Sequence, residues 1–241
     1  GFIALVLLIA RKNGLKALFA LIVTIAFIIK IFIPAIYNGY SPIFFAIITT
    51  IFSSLVTIYF TVGMNKKFVV ALLGVTSGVL IAGILSYIFT YRMRLNGFLD
   101  SDLLASAYLL KNVKIKELIP AGVIIGSLGA VMDVAVSITS SINELHETDP
   151  NMSKKSMFKS AINIGNDIIG TMINTLVLAY IASAIFTLLL IYIQANEYPL
   201  IRILNFQDIA VEIMKSVCGS IGILVAVPLT AYIGTVIYKK K

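Results

Sequence analysis

Long apolar runs separated by short polar breaks set the pattern of this chain. Ala17–Tyr37, Ile43–Gly63, Phe68–Tyr91, Leu118–Ile142, Ala161–Gln194 and Ile209–Tyr238 each supply the ~20 helical residues that a ~30 Å hydrocarbon core requires. The runs are continuous and rich in Ile, Leu and Val, without the alternating ten-residue segments of a membrane barrel, so helices do the spanning. Gly1–Ala10 is apolar but half a span long, and it ends at Arg11–Lys12. It reads as the cytosolic half of a truncated helix, because a signal peptide would carry its charges first and a small-residue cleavage site last. The expected fold is all-α: a polytopic transmembrane bundle of about seven membrane segments, or eight, the first truncated, in a single domain over residues 1–241.

One run does not fit a single crossing. As one helix, the 34 residues Ala161–Gln194 would extend ~51 Å, well beyond the bilayer core. The segment must tilt, protrude, or break near Ala179–Ser183, and a break would invert the side assigned to Ala195–Asp208. The polar gaps carry turn chemistry. Asn38-Gly39-Tyr40-Ser41-Pro42 and Asn65–Lys67 close short reversals, and Asp149-Pro150-Asn151 turns the chain before Ser153, a candidate N-cap. The Arg92–Glu117 stretch contains Leu103–Asn112, which has the makings of a short interfacial helix capped by Asp100 or Ser101. Gly78-Val-Leu-Ile-Ala82 is echoed by Gly222-Ile-Leu-Val-Ala226, either a trace of an internal repeat or chance similarity in simple apolar sequence.

Composition agrees with a membrane protein. The chain is 59% hydrophobic and only 12% charged, against about 25% charged in a soluble domain. The formal net charge of +8 is scattered over helix ends, without the basic stripe and aromatic platforms of a nucleic-acid surface. The positive-inside rule accounts for it. Arg11, Lys12, Lys16, Lys66, Lys67, Lys154, Lys155, Lys159 and Lys239–Lys241 put eleven basic residues on one side, and the opposite loops hold six, five of them within Arg92–Lys116. This places the hairpin 143–160 on the cytoplasmic side of the membrane. A single cysteine, Cys218, leaves no intrachain disulfide, and with His146 the only histidine there is no zinc-ligand cluster. The chain contains no P-loop sequence. Glu144-Leu-His146-Glu147 lacks the spacing of a zinc protease motif and reads as a solvated helix end.

The chemistry-bearing residues lie inside the apolar runs. Asp133 and Asp167 each stand seventeen residues from Pro150, so a symmetric hairpin would set them at one depth. A carboxylate at the centre of a spanning helix costs at least ~2.5–3.5 kcal/mol, which makes two of them a candidate site. Gly122, Gly126, Gly129, Ala130, Asp133, Ser137, Ser140, Ser141 and Glu144 recur at helical spacing on one face. Across the hairpin, Asn163, Asp167, Gly170, Thr171 and Asn174 form a second stripe with Asn166 beside it. Symmetric pairing sets Asp133 by Asp167, Ser137 by Asn163, Ala130 by Gly170 and Gly126 by Asn174. The polar-striped core of the domain is therefore 118–180, with Asp133, Asp167, Ser137, Asn163, Thr171 and Asn174 as transport or ion-binding residues. Oxygen donors of this kind suit a proton, sodium or a hard divalent cation, and no other cofactor is expected. Two close carboxylates in low dielectric would share a proton or a cation. Small and polar residues also serve simply to pack helices, which remains an alternative for Ser137, Asn163 and Thr171 taken singly. Lys30, deep in its run, is either a counter-ion to an aspartate or snorkels to the interface, and Lys215 snorkels. Pro228 should kink the last helix.

The stretch Gly126-Ser-Leu-Gly-Ala-Val-Met-Asp133-Val-Ala-Val-Ser137, the segment Asn143-Glu-Leu-His146-Glu, and the run Phe158-Lys-Ser-Ala-Ile-Asn163-Ile-Gly165-Asn-Asp167-Ile-Ile-Gly170-Thr171-Met-Ile-Asn174 through Tyr180 resemble the YibE/F-like family of multi-pass bacterial membrane proteins. Gly219-Ser-Ile-Gly222 through Pro228-Leu is similar too, so the likeness covers nearly the whole chain. It implies a polytopic helical architecture, a further N-terminal helix with an extracytoplasmic region, and permease activity. Asn166 departs from the basic residue common before the family's aspartate, which speaks against an ion pair there.

The leading functional expectation is an inner-membrane permease, not an enzyme, moving an ion or small solute and gated or coupled through Asp133 and Asp167. Its partners are membrane lipid, the solute and a possible second copy in a homo-oligomer, with no nucleic acid. A non-transporting scaffold or subunit of a larger complex is the alternative. An intramembrane aspartyl protease also uses two acids, but the Y-D, G-x-G-D and P-A-L signatures are missing.

Overall fold

The computed structural model describes residues 2–95, 112–194 and 199–239. Nine α-helices and one π-helical turn are found among them, with no strand: α1 (Phe2–Phe27), the π-turn (Ile28–Phe32), α2 (Ile33–Tyr37), α3 (Pro42–Val62), α4 (Lys66–Arg92), α5 (Ile115–Thr148), α6 (Lys154–Ser183), α7 (Ile185–Gln194), α8 (Leu200–Leu204) and α9 (Gln207–Tyr238). The all-α bundle is as expected. Among the described residues, six segments are long and apolar enough to cross a membrane, starting with Gly14–Tyr37. Gly1–Ala10 does not make a seventh, because α1 runs unbroken from Phe2 through Arg11 and Lys12 into the first span. The expected helix within Leu103–Asn112 lies almost wholly outside the described residues.

Local chemistry accounts for the ends and irregularities. Pro34 has no N–H to give the carbonyl four residues back, and the helix widens into the π-turn immediately before it. Ser41 caps α3, accepting from the Phe44 amide at 3.4 Å, and its hydroxyl also donates to Glu117 Oε2, which ties the start of α3 to the start of α5. Asn65 caps α4 through the Phe68 amide at 3.1 Å. At the hairpin, Asp149 Oδ1 accepts from the Asn151 amide at 3.0 Å, and Ser153 Oγ accepts from the Ser156 amide at 3.1 Å. Replacing Ser153 by Ala should therefore destabilise the start of α6 by about 1 kcal/mol. Thermal unfolding followed by circular dichroism checks this, since the chain has no tryptophan to report by fluorescence.

The centre of the bundle is the trio α4, α5 and α9, with α6 laid against α9 and α5, α3 against α5 and α4, and α1 outermost on α3. Close approach of α4 and α9 rests on small residues. A Cβ on Gly74 would meet Thr230 Oγ1 at 2.2 Å, one on Gly78 would meet Ala226 Cβ at 2.8 Å and Gly222 O at 2.9 Å, and one on Gly222 would meet Ala82 Cβ at 2.9 Å. The contacts run antiparallel at four-residue intervals, which is the small-xxx-small packing of membrane helices. The echo between Gly78–Ala82 and Gly222–Ala226 thus marks two stretches that pack on each other. Each needs the same small residues because each is the other's surface. Outward from this core, Phe19, Ile22, Ile25, Phe44, Tyr59, Ile84 and Tyr87 are exposed, as expected of a lipid-facing surface.

The long segment 161–194 is two helices. Its junction is Ala184, whose amide bonds back to Tyr180 O at 3.1 Å and Ile181 O at 3.2 Å. Ser183 Oγ, which donates to Tyr180 O at 2.8 Å, competes for the same carbonyl.

Candidate functional site: the polar face of the hairpin

Asp133 sits close to the middle of α5 and Asp167 close to the middle of α6. Both are exposed, as are Ser137, Asn163, Thr171 and Asn174. Burial on each helix explains why. On α5, Val123, Val131, Val134, Ala135, Ile138 and Ile142 are turned into the core, which leaves Gly122, Gly126, Gly129, Asp133 and Ser137 outward at helical spacing. On α6, Met157, Ala161, Gly165 and Leu176 are the buried positions, and the polar stripe lies on the opposite side. A Cβ built on Gly122, Gly129 or Gly170 would find no atom within 4 Å, so these parts of both stripes are bare.

The two stripes come out on one side of the hairpin. Ser141 and Leu145 of α5 and Ile164 of α6 line a common cavity of about 290 Å³ at the hairpin base, with Glu144, Thr148, Asp149 and Met152. These facing residues stand about a quarter turn from the stripe on each helix, in the same sense for an antiparallel pair. Glu144 and Ser141 open this vestibule, and Ser141 Oγ donates to Ser137 O at 3.0 Å. Asp133 follows one turn further along α5.

The depth of the aspartates departs from the symmetric pairing. A Cβ on Gly165 would meet Ile138 Cδ1 at 3.4 Å, which places those two residues opposite each other. Carried along the antiparallel helices, that register sets Asp133 level with Gly170 and Asp167 level with Val136, about 4.5 Å nearer the hairpin. The shift arises because Gly165 is seated by a third helix: its Cβ would lie 2.4 Å from Val227 Cγ1 of α9. Among the described residues no hydrogen bond or ion pair links the two acids, and Thr171 turns its hydroxyl to Ile168 O at 2.8 Å. Lys30 is exposed in the π-turn, which packs beside α3, and among the described residues no ion pair joins it to either aspartate. No group of three or more metal-ligating His, Cys, Asp or Glu residues occurs among the described residues.

At the far end, Tyr180 closes the polar face. Its hydroxyl lies 3.0 Å from the position of a Cβ on Gly126, is buried, and has no hydrogen-bond partner among the described residues. The same residue lines a second, largely apolar cavity of about 250 Å³ between α6, α7 and α9, which Asp208, Glu212 and Ser216 border. Glu212 Oε1 pairs with Lys215 at 2.5 Å, while its Oε2 is buried without a partner among the described residues. Lys215 is thus ion-paired in this structure. Sequence reasoning did not select Tyr180 or Glu212, although an acid and a base three residues apart at the start of a span were a visible signal.

Near the hairpin, α4, α5 and α9 are laced together. Tyr238 donates to Asn143 Oδ1 at 3.0 Å, Asn143 donates to Glu147 Oε1 at 2.6 Å, and Lys66 sits 5.6 Å from the centre of the Tyr238 ring. His146 packs edge-on to the same ring, and Lys239 donates to Pro150 O at 2.6 Å. Glu144-Leu-His146-Glu147 is therefore part of a helix-end clamp.

No curated protein and no solved structure matches the chain. The model of one family does, over residues 1–240. The chain belongs to the YibE/F-like protein family.

Proposed function

We propose that this chain is a non-enzymatic permease of a bacterial inner membrane, and that an ion or small solute passes along the shared polar face of α5 and α6. The observation that carries the reading is the outward position of Asp133 and Asp167 near the middles of two spanning helices. Carboxylates at that depth are costly in lipid and are found where water or an ion reaches them. The vestibule at Glu144 and Ser141 supplies an entrance on the hairpin side, and the cavity at Asp208 and Glu212 an opening on the other. Tyr180, wedged at Gly126, stands between them as the barrier. Lys66, Lys154, Lys155 and Lys239 at the hairpin end support a cytoplasmic hairpin. Asp133 and Asp167 would hold the proton, sodium ion or divalent cation that couples or gates movement, with Ser137, Asn163 and Asn174 as neutral donors.

Purified protein in liposomes, loaded with dyes for protons, sodium and divalent cations, tests this. Flux above that of empty liposomes, reduced in Asp133→Asn, is expected. Identical traces for empty, wild-type and Asp133→Asn liposomes with every ion would remove the reading.

A further inference from the structure

We propose that a second copy of this chain covers the polar face of α5 and α6, so that the passage is closed between two protomers. Within one chain the face has no cover: Asp133, Ser137, Asn163, Asn166, Asp167 and Asn174 are all exposed, and no hydrogen bond joins any of these side chains to another helix among the described residues. Lipid tails offer neither donors nor acceptors, so the face needs protein or water against it. The opposite flank is different, since α1 presents Phe19, Ile22 and Ile25, which lipid solvates.

The surface is complementary to itself. Asp133 and Asp167 supply acceptors, while the amides of Asn163, Asn166 and Asn174 and the Ser137 hydroxyl supply donors. A two-fold axis along the membrane normal preserves depth, so α5 of one copy meets α6 of the other in the register found within the hairpin. Asp133 then comes level with Gly170 of the partner subunit and within about one turn of its Asn166 and Asn174 amides. Backbone approach is provided for by Gly122, Gly129 and Gly170, whose Cβ positions are open. The inference rests on reading this face as a passage, which a single chain leaves open along one side.

The test uses a Cys218→Ala background reconstituted in liposomes with no other protein. Chains carrying Gly129→Cys mixed with chains carrying Asn174→Cys, two positions that the register sets level across the interface, should form disulfide-linked dimers on mild oxidation, and Ile25→Cys on the lipid flank should not. Native mass spectrometry should find two copies per particle, and Gly129→Trp should lower the dimer fraction roughly tenfold while the helix melting of the chain is kept. Single copies with no crosslink between the Gly129→Cys and Asn174→Cys chains would overturn the proposal, as would a dimer joined only through Ile25→Cys. Should Gly129→Trp fail to fold, the cysteine pair still decides. Failure of this inference is separable from failure of the transport reading: monomers whose flux still depends on Asp133 sink the dimer alone, and dimers with flux indifferent to Asp133→Asn sink the ion role alone.

Discussion

Gly78→Leu is expected to abolish the native packing of α4 on α9. A Cβ at this position already falls within 3 Å of Ala226 Cβ, Val131 Cγ1 and the Gly222 carbonyl oxygen. Two of those three atoms sit close to backbone, so no rotamer change clears the space and the helices must part. Overpacking a tight core costs about 1–3 kcal/mol where side chains can yield, and more where they cannot. For Gly78→Ala we expect the lower part of that range, and for Gly78→Leu a loss beyond about 3 kcal/mol, a fall of about 10 °C in the melting midpoint. Gly222→Leu should behave alike, because Ala82 and the Gly78 carbonyl press on it from the other side. Ile84→Leu, on the exposed flank of the same helix, should stay within about 0.5 kcal/mol of the parent. Melting curves by circular dichroism decide the matter, and an unchanged midpoint for Gly78→Leu would mean that α4 and α9 are not seated as described.

Asp133→Asn should lower flux by roughly 5- to 150-fold, the range of a coupling energy of 1–3 kcal/mol, and flatten its dependence on pH. Asparagine keeps the shape and hydrogen bonding of aspartate but carries neither charge nor an exchangeable acid proton. A loss on this substitution therefore reports ionisation rather than packing. The side chain is outward, so the variant should melt like the parent. Asp167→Asn, set nearer the hairpin by the register of Gly165 on Ile138, should act in the same direction. Glu117→Gln supplies the control, since that carboxylate lines neither cavity and accepts from the Ser41 hydroxyl at the other end of α5. Equal flux in Asp133→Asn and Glu117→Gln, with the same pH profile, would take the Asp133 carboxylate out of the mechanism.

Much of the architecture was legible in the residues themselves. Six spanning segments, the Ser153 cap and the turn at Asp149-Pro150-Asn151 stand where the pattern set them, although the fifth span ends at Ser183 instead of running on to Gln194, because each depends on neighbours within a few positions. The stripes were legible for the same reason, through the 3.6-residue period. The symmetric pairing of Asp133 with Asp167 was not, since it assumed that the hairpin sets its own register. Val227, sixty residues further on, seats Gly165 instead. Tyr180 escaped notice because its significance lies in Gly126, fifty-four residues earlier, where only a missing side chain admits the ring.

The sequence alone determined which segments span, where they turn and which faces are polar, because span length answers to bilayer thickness and polarity answers to helical period. Tertiary structure decided that the two glycine-alanine echoes are one contact, that Tyr180 seats against Gly126, and that the carboxylate stripes point outward from the bundle. Those outcomes depend on which helix fills the space beside another. In lipid, that is settled by side-chain volume at crossings between segments far apart in the chain, and no local pattern records it.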